Sequence, residues 1–173
     1  VTARNDWAST LAFTPHEKSG FFYPSAGVSW VISKMWSLPQ WISFGKLRGV
    51  VSKVGNDIPL FITNPVAHVG AGGEIQSQDA APFEDMKPEM TTSIELGTEW
   101  RFLHDRLNVS VTYYKTNTKN QFFTLPAQTG DKYAYRYVNA GNIQNIGWEA
   151  SIEGVPLSFQ RFTWKTGLNY STN

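Results

Sequence analysis

Few side chains in this sequence are able to do acid–base, metal or nucleophile chemistry, and they are poorly spaced for it. His16, His68 and His104 are scattered, with no spacing that would bring two imidazoles to one metal ion. They read as loop and turn histidines. Glu95 and Glu99 share the parity of one strand face. A carboxylate pair is the tool of glycoside hydrolysis; the competing reading is a polar wall in which Arg101, Lys46, Arg48 or Lys165 balances them. Gly70-Ala71-Gly72-Gly73 follows no strand and opens no helix, so it lacks the setting of a phosphate cradle. Asp79, Glu84 and Asp85 offer oxygen ligands suited to Ca²⁺ but without the regular spacing of a calcium loop, and read as a solvated segment. There is no cysteine, hence no disulfide framework and no thiolate. No nucleophile, base and orienting group can be assembled, so neither an enzyme nor a cofactor site is expected.

The elements that carry these residues explain the pattern better than catalysis does. In Thr92–Phe102 the even positions hold Ile94, Leu96, Thr98, Trp100 and Phe102, and the odd ones hold Ser93, Glu95, Gly97, Glu99 and Arg101. Period-2 alternation marks a strand with two unlike environments. After the short polar turn His104-Asp105-Arg106 the pattern resumes, with Leu107, Val109, Val111 and Tyr113 against Asn108, Ser110, Thr112 and Tyr114. Setting Phe102 opposite Leu107 puts Trp100 by Val109 and Leu96 by Tyr113, so both apolar faces fall on one side. This predicts a long antiparallel hairpin with one greasy and one charged face. In a soluble sandwich the greasy face is the core; in a membrane barrel it meets lipid while the polar face lines the lumen.

Further strands are expected over Phe22–Ile32 and Ile42–Val54, in Tyr135–Val155, and from Phe162 to the end. A bulge near Gly45 is needed to repair the second. Arg4–Gly20, Asn56–Pro88 and Leu125–Ala134 read as long connectors. Ser33–Gln40, His104–Arg106 and Pro156–Arg161 read as short ones. Up-and-down strands would collect the long connectors at one end, the asymmetry of outer-membrane barrels. Trp30, Trp41, Trp100, Phe102, Phe162 and Trp164 then gather at the short-turn end like an interfacial girdle. About 14 extended residues reach about 45 Å, enough to cross a tilted bilayer path. Composition agrees. Charged residues are 17%, aromatics 14% and the formal net charge +1, so no nucleic acid or other polyanion partner is implied. No run suits a membrane-spanning helix, and no signal peptide is evident, which points to a cytosolic chain or a piece of a longer one.

Several stretches together resemble the barrel strands of the SusC/RagA family of TonB-linked outer-membrane transporters. They are RNDWAST from Arg4, FFYPSAGVSWVIS from Phe21, KLRGVVSKVGN from Lys46, MKPEMTTSIELGTEW from Met86, RLNVSVTYYKTNTKNQ from Arg106 and VNAGNIQNIGWEASI from Val138. The segment Asn56–Asp85 carries no such match. The resemblance implies an all-β, antiparallel, up-and-down transmembrane barrel segment of about seven strands, within a plugged barrel of about 22. On this reading residues 1–173 are a partial receptor barrel in the bacterial outer membrane, without plug, preceding strands or closing strands. The implied activity is TonB-energised import of oligosaccharides or peptides, with a SusD-like surface lipoprotein as lid. Lys46, Arg48, Glu95, Glu99, Arg101, Glu149, Glu153 and Lys165 would face the lumen. Trp7, Phe21 and Tyr23 at the outer rim are candidates to stack on cargo, against the alternative of anchoring the barrel. A passive porin and a soluble β-sandwich adhesin or sugar-binding module remain the competing functions.

Overall fold

The computed structural model describes residues 1–173 except Phe13, residues 18–19, 58–61, 64–66, 77–79 and Glu84. In chain order it contains β1 (Thr2–Asp6), a 3₁₀ turn (Ser9–Leu11), β2 (Phe21–Val31), the helical turn α1 (Ile32–Met35) and β3 (Ile42–Asn56). Three two-residue strands follow, β4 (His68–Val69), β5 (Ile75–Gln76) and β6 (Ala80–Ala81). Then come β7 (Glu89–Phe102), β8 (Leu107–Lys119), β9 (Phe122–Pro126), β10 (Tyr135–Asn139), β11 (Asn142–Phe159) and β12 (Phe162–Thr172).

Seven of these strands form one antiparallel, up-and-down sheet in the order β1-β2-β3-β7-β8-β11-β12. The sheet is open, with β1 and β12 at its edges. The β7–β8 ladder has the expected register: Phe102 faces Leu107, Trp100 faces Val109 and Leu96 faces Tyr113. The interior strands β3, β7, β8 and β11 pair with a neighbour on both sides, the condition for crossing hydrocarbon with strands; β12 at the edge pairs only with β11.

Several local expectations are corrected. Thr2–Asp6, expected within or beside a loop, is a strand; it is short and polar and is drafted by pairing with β2, from Thr2 opposite Ser25 to Asp6 opposite Phe21. The irregularity expected near Gly45 is present, between Ile42 and Phe44. Ile42 is thereby opposite Phe102, while Phe44 is opposite Arg101 and shares the charged face. The Arg101 guanidinium sits 4.8 Å from the Phe44 ring centre, a cation–π contact that explains a phenyl ring there. The strand of Tyr135–Val155 is divided at Gly141, whose φ of +94° ends β10 and starts β11 anew. The expected connector Pro156–Arg161 shrinks to the turn at Gln160-Arg161, because β11 continues through a register shift between Gly154 and Leu157. The Gly70–Gly73 stretch is the tip of the β4–β5 hairpin. The Gly73 N–H donates to Gly70 O at 2.9 Å, with Gly73 at φ +81°.

The compact apolar core is in the long connectors, not under the sheet. Leu11, Phe21, Ile62 and Met86 are buried together, and Tyr23, Phe83, Phe122 and Tyr137 pack on them. Asn139 ties this cap together. Its Oδ1 accepts from the Lys87 N–H at 2.7 Å, and its Nδ2 donates to Lys87 O and Asn120 O, each at 2.8 Å. By contrast Leu96 is 55% exposed and Ile94 38% exposed. Among the described residues no second layer covers that face; apart from Phe21 and Tyr23 of β2, which enter the connector core, the main contacts of the long strands are with their sheet neighbours and the short turn α1. The sandwich alternative required such a layer.

Candidate functional site

The register assigns every strand residue to one of two faces. On the first, Arg48 is level with Gly97, Thr112 and Glu149; Lys46 with Glu99, Ser110 and Ser151; and Arg101 with Asn108 and Glu153. Glu95 lies opposite Tyr114, and Lys165 shares the parity of Gly167, the partner of Glu153. Thus Lys46, Arg48, Arg101 and Lys165 share a surface with Glu95, Glu99, Glu149 and Glu153, and their formal charges cancel. A recess of about 370 Å³ opens among Lys46, Arg48, Glu99, Arg101, Asn108 and Glu153.

Within this face the charges are joined locally. Arg101 Nη2 donates to Glu99 Oε1 at 3.0 Å, and Arg48 Nη2 donates to Thr112 Oγ1 at 3.1 Å. Toward the long connectors the face changes to hydroxyls and amides. Ser25, Ser52, Ser93, Thr116 and Asn145 form one row across five strands. Thr91 and Thr118 hydroxyls meet at 2.9 Å, and those of Ser93 and Thr116 at 3.3 Å. Four residues of strand set the Glu95 and Glu99 backbones about 13 Å apart, and the Glu99 carboxylate is engaged by Arg101.

The opposite face is apolar. Val28, Trp30, Leu47, Val51, Leu96, Trp148, Ile152 and Leu168 all stand exposed on it. Trp41 stacks on Phe102 with ring centres 5.7 Å apart, and Trp100 lies 6.5 Å from Phe102. Phe162 and Trp164 share their end of the sheet, opposite Phe159 and Leu157. Trp30 packs on Trp36 at 5.0 Å; Trp36 belongs to this group although its connector position concealed it in the sequence.

The three rim aromatics part company. Phe21 is only 8% exposed, held in the connector core, and is withdrawn from any stacking surface. Tyr23 packs on the same core. Trp7 is 68% exposed and borders a recess of about 400 Å³ with Arg4, Asp6, Tyr23, Asn56 and Asp57. Of the calcium candidates, Asp79 and Glu84 lie outside the described residues. Asp85 is engaged elsewhere, with His16 Nε2 at 3.2 Å and Lys87 Nζ at 3.7 Å.

Three charged residues interrupt the apolar face: Lys53, Lys115 and Lys119. All lie toward the long connectors. Sequence reading missed them, although their parity on Ile42–Val54 and Leu107–Lys119 was visible.

The family model described as TonB dependent receptor-like, beta-barrel, matches residues 1–173. The TonB-dependent receptor P3 of Formosa agariphila is 28% identical, over 99% of this chain and 18% of its own length. The TonB-dependent receptor SusC of Bacteroides thetaiotaomicron is 26% identical, over 96% of this chain and 18% of its own length. The chain therefore spans less than a fifth of these relatives. The structure of the RagAB peptide importer in its closed-closed state superposes with a TM-score of 0.83 at 19% identity, over 98% of this chain and 19% of that one.

Proposed function

Because this chain belongs to the TonB-dependent receptor β-barrel family, whose members reside in the bacterial outer membrane, we propose that it is a wall segment of a larger, plugged importer. In this reading the charged face looks into the lumen, where Lys46, Arg48, Glu95, Glu99, Arg101, Glu149, Glu153 and Lys165 meet water and the plug. The apolar face meets lipid. Trp30, Trp41, Trp100, Phe102, Phe162 and Trp164 form the girdle at the short-turn interface.

One observation carries this reading: a single-layer sheet with all eight of those charges on one face and an exposed apolar band on the other. In water such a band would be an aggregation surface; in a bilayer it is the required solvent contact.

The cargo we assign is an oligosaccharide or a peptide, taken up with a SusD-like surface lipoprotein and energised through TonB. The balanced lumen charges and the hydroxyl row at Ser25, Ser52, Ser93, Thr116 and Asn145 suit an uncharged, hydrogen-bonding chain. The likeness to SusC and to a peptide importer supports the same class. Trp7 is the rim aromatic with a face free for stacking on such a chain.

The test is labelling of single cysteines in the full-length protein in membranes with a water-soluble reagent. Cysteine at Glu99 should react and cysteine at Trp100 should not; equal reaction removes the lumen assignment. Uptake should cease in a host lacking TonB, and persistence would make the protein a passive pore.

A further inference from the structure

On the lipid-facing side charge is confined to the end beside the long connectors, over four residues of strand. Lys53, Lys115 and Lys119 project from it, and no Asp or Glu of the seven-stranded sheet shares that face. Their placement is compact. Lys53 lies opposite Thr92, which lies opposite Asn117; Lys115 and Lys119 are two positions to either side of Asn117. Two strand spacings and two residue rises separate Lys53 from each, about 12 Å between backbones. Lys115 is half-buried between its cross-strand partners Ile94 and Ile146, whereas Lys53 and Lys119 are exposed. None of the three makes an ion pair among the described residues. An unpaired cation costs least where its stem covers apolar surface and its head reaches the interface. The uncharged band from Leu96 and Gly49 down to Phe102 and Leu47 places that interface beside the long connectors, at the outer leaflet.

We propose that Lys53, Lys115 and Lys119 form a docking site for a lipid headgroup of the outer leaflet that carries more than one phosphate. Three lysines whose backbones lie about 12–13 Å apart, with no carboxylate of the seven-stranded sheet on their face, match a compact polyanion better than a zwitterion. Simple snorkelling would leave the headgroup's identity irrelevant. The inference rests on the membrane orientation proposed above, and its test separates the two.

Full-length protein is placed in phosphatidylcholine nanodiscs containing either bis-phosphorylated or dephosphorylated lipid A, and retained lipid is counted by native mass spectrometry. The wild type should retain the phosphorylated form selectively. Each of K53Q, K115Q and K119Q should weaken retention about fivefold, and the triple variant about 100-fold. K34Q, in the short connector at the other end, should change nothing. Equal retention by the triple variant, an equal loss in K34Q, or displacement by inorganic phosphate at matched concentration would each overturn the proposal while leaving the barrel in its membrane. Failure to enter the discs would overturn the membrane reading and this inference with it.

Discussion

Arg48 reaches across β7 to Thr112 on β8, its Nη2 lying 3.1 Å from the Thr112 hydroxyl, and the path runs over Gly97. A methyl group on Gly97 would overlap the Arg48 side chain, with Cγ only 2.9 Å away. The glycine is a notch that lets one cation lie flat on the wall instead of standing off it.

Gly97→Val should therefore evict Arg48 and destabilise the full-length barrel by about 1–3 kcal/mol. The clash needs both side chains. In the double variant Gly97→Val/Arg48→Ala most of that loss should return, a coupling read from urea unfolding in lipid vesicles. Additive losses would mean that the two residues do not meet.

The two faces differ by environment, so adjacent residues should respond oppositely to charge. Leu96→Arg puts a cation into the apolar band and should cost about 2–4 kcal/mol. Glu95→Gln, one residue away on the wet face, should stay within about 0.5 kcal/mol. The same vesicle unfolding assay checks both, and similar costs would mean that the faces are misassigned.

Those faces were legible because alternation is a local, one-dimensional signal. Glu95, Leu96, Glu99 and Trp100 announce their sides by parity alone. Alternation alone does not say which side meets lipid, since a core and a bilayer both select Ile94 and Leu96. The unequal connectors, the tryptophans at one end and the family resemblance pointed to the bilayer, and the lack of a second layer among the described residues and the family match support the same reading. Position-specific errors came from non-local pairing. Thr2–Asp6 is a strand because β2 is there to pair with it, and Phe21 is core because Leu11, Ile62 and Met86 converge on it from distant connectors. The bulge of β3 was legible in the parity of Ile42 and Phe44, but its place at Ser43 was not. Ser43 Oγ accepts from the Asp105 N–H at 3.2 Å, a contact no window of sequence contains.

The β7–β8 turn holds a further expectation. Leu103, His104 and Asp105 have φ of +54°, +58° and +64°, three successive left-handed residues without a glycine. Neighbours hold them: the Leu103 N–H donates to Trp41 O at 2.9 Å, and the Val155 N–H donates to Arg106 O at 2.8 Å. Left-handed backbone costs roughly 1–2 kcal/mol per residue, partly recovered by glycine after its own entropy loss. His104→Gly should raise stability by about 0.5–1 kcal/mol, seen as a higher unfolding midpoint with unchanged slope. A lower midpoint would mean that the imidazole itself contributes to the turn.

The last expectation concerns acid and the connector between β9 and β10. Arg136 donates a hydrogen bond to Asp131, and that bond, with the charge of the guanidinium and the backbone donors of Lys132 and Tyr133, holds the Asp131 carboxyl below its ordinary value of 3.8. The sign follows from linkage. The closed connector favours the ionised form, so its stabilisation is complete above 3.8 and fades as pH falls through the lowered folded value. Amide exchange at Ala127, bonded to Ala134 O at 2.9 Å, and at Asp131, bonded to Gln128 O at 3.0 Å, should report the opening. Both should lose protection in acid while the amides of β7 and β8, held by ladders that do not titrate, keep theirs. Arg136→Gln should expose the same two amides at neutral pH and leave them little further to lose in acid; added salt should act in the same direction on so exposed a pair. Protection that survives protonation of Asp131 in the wild type would mean that the β9–β10 ladder alone closes the connector, and that the ion pair is incidental to it.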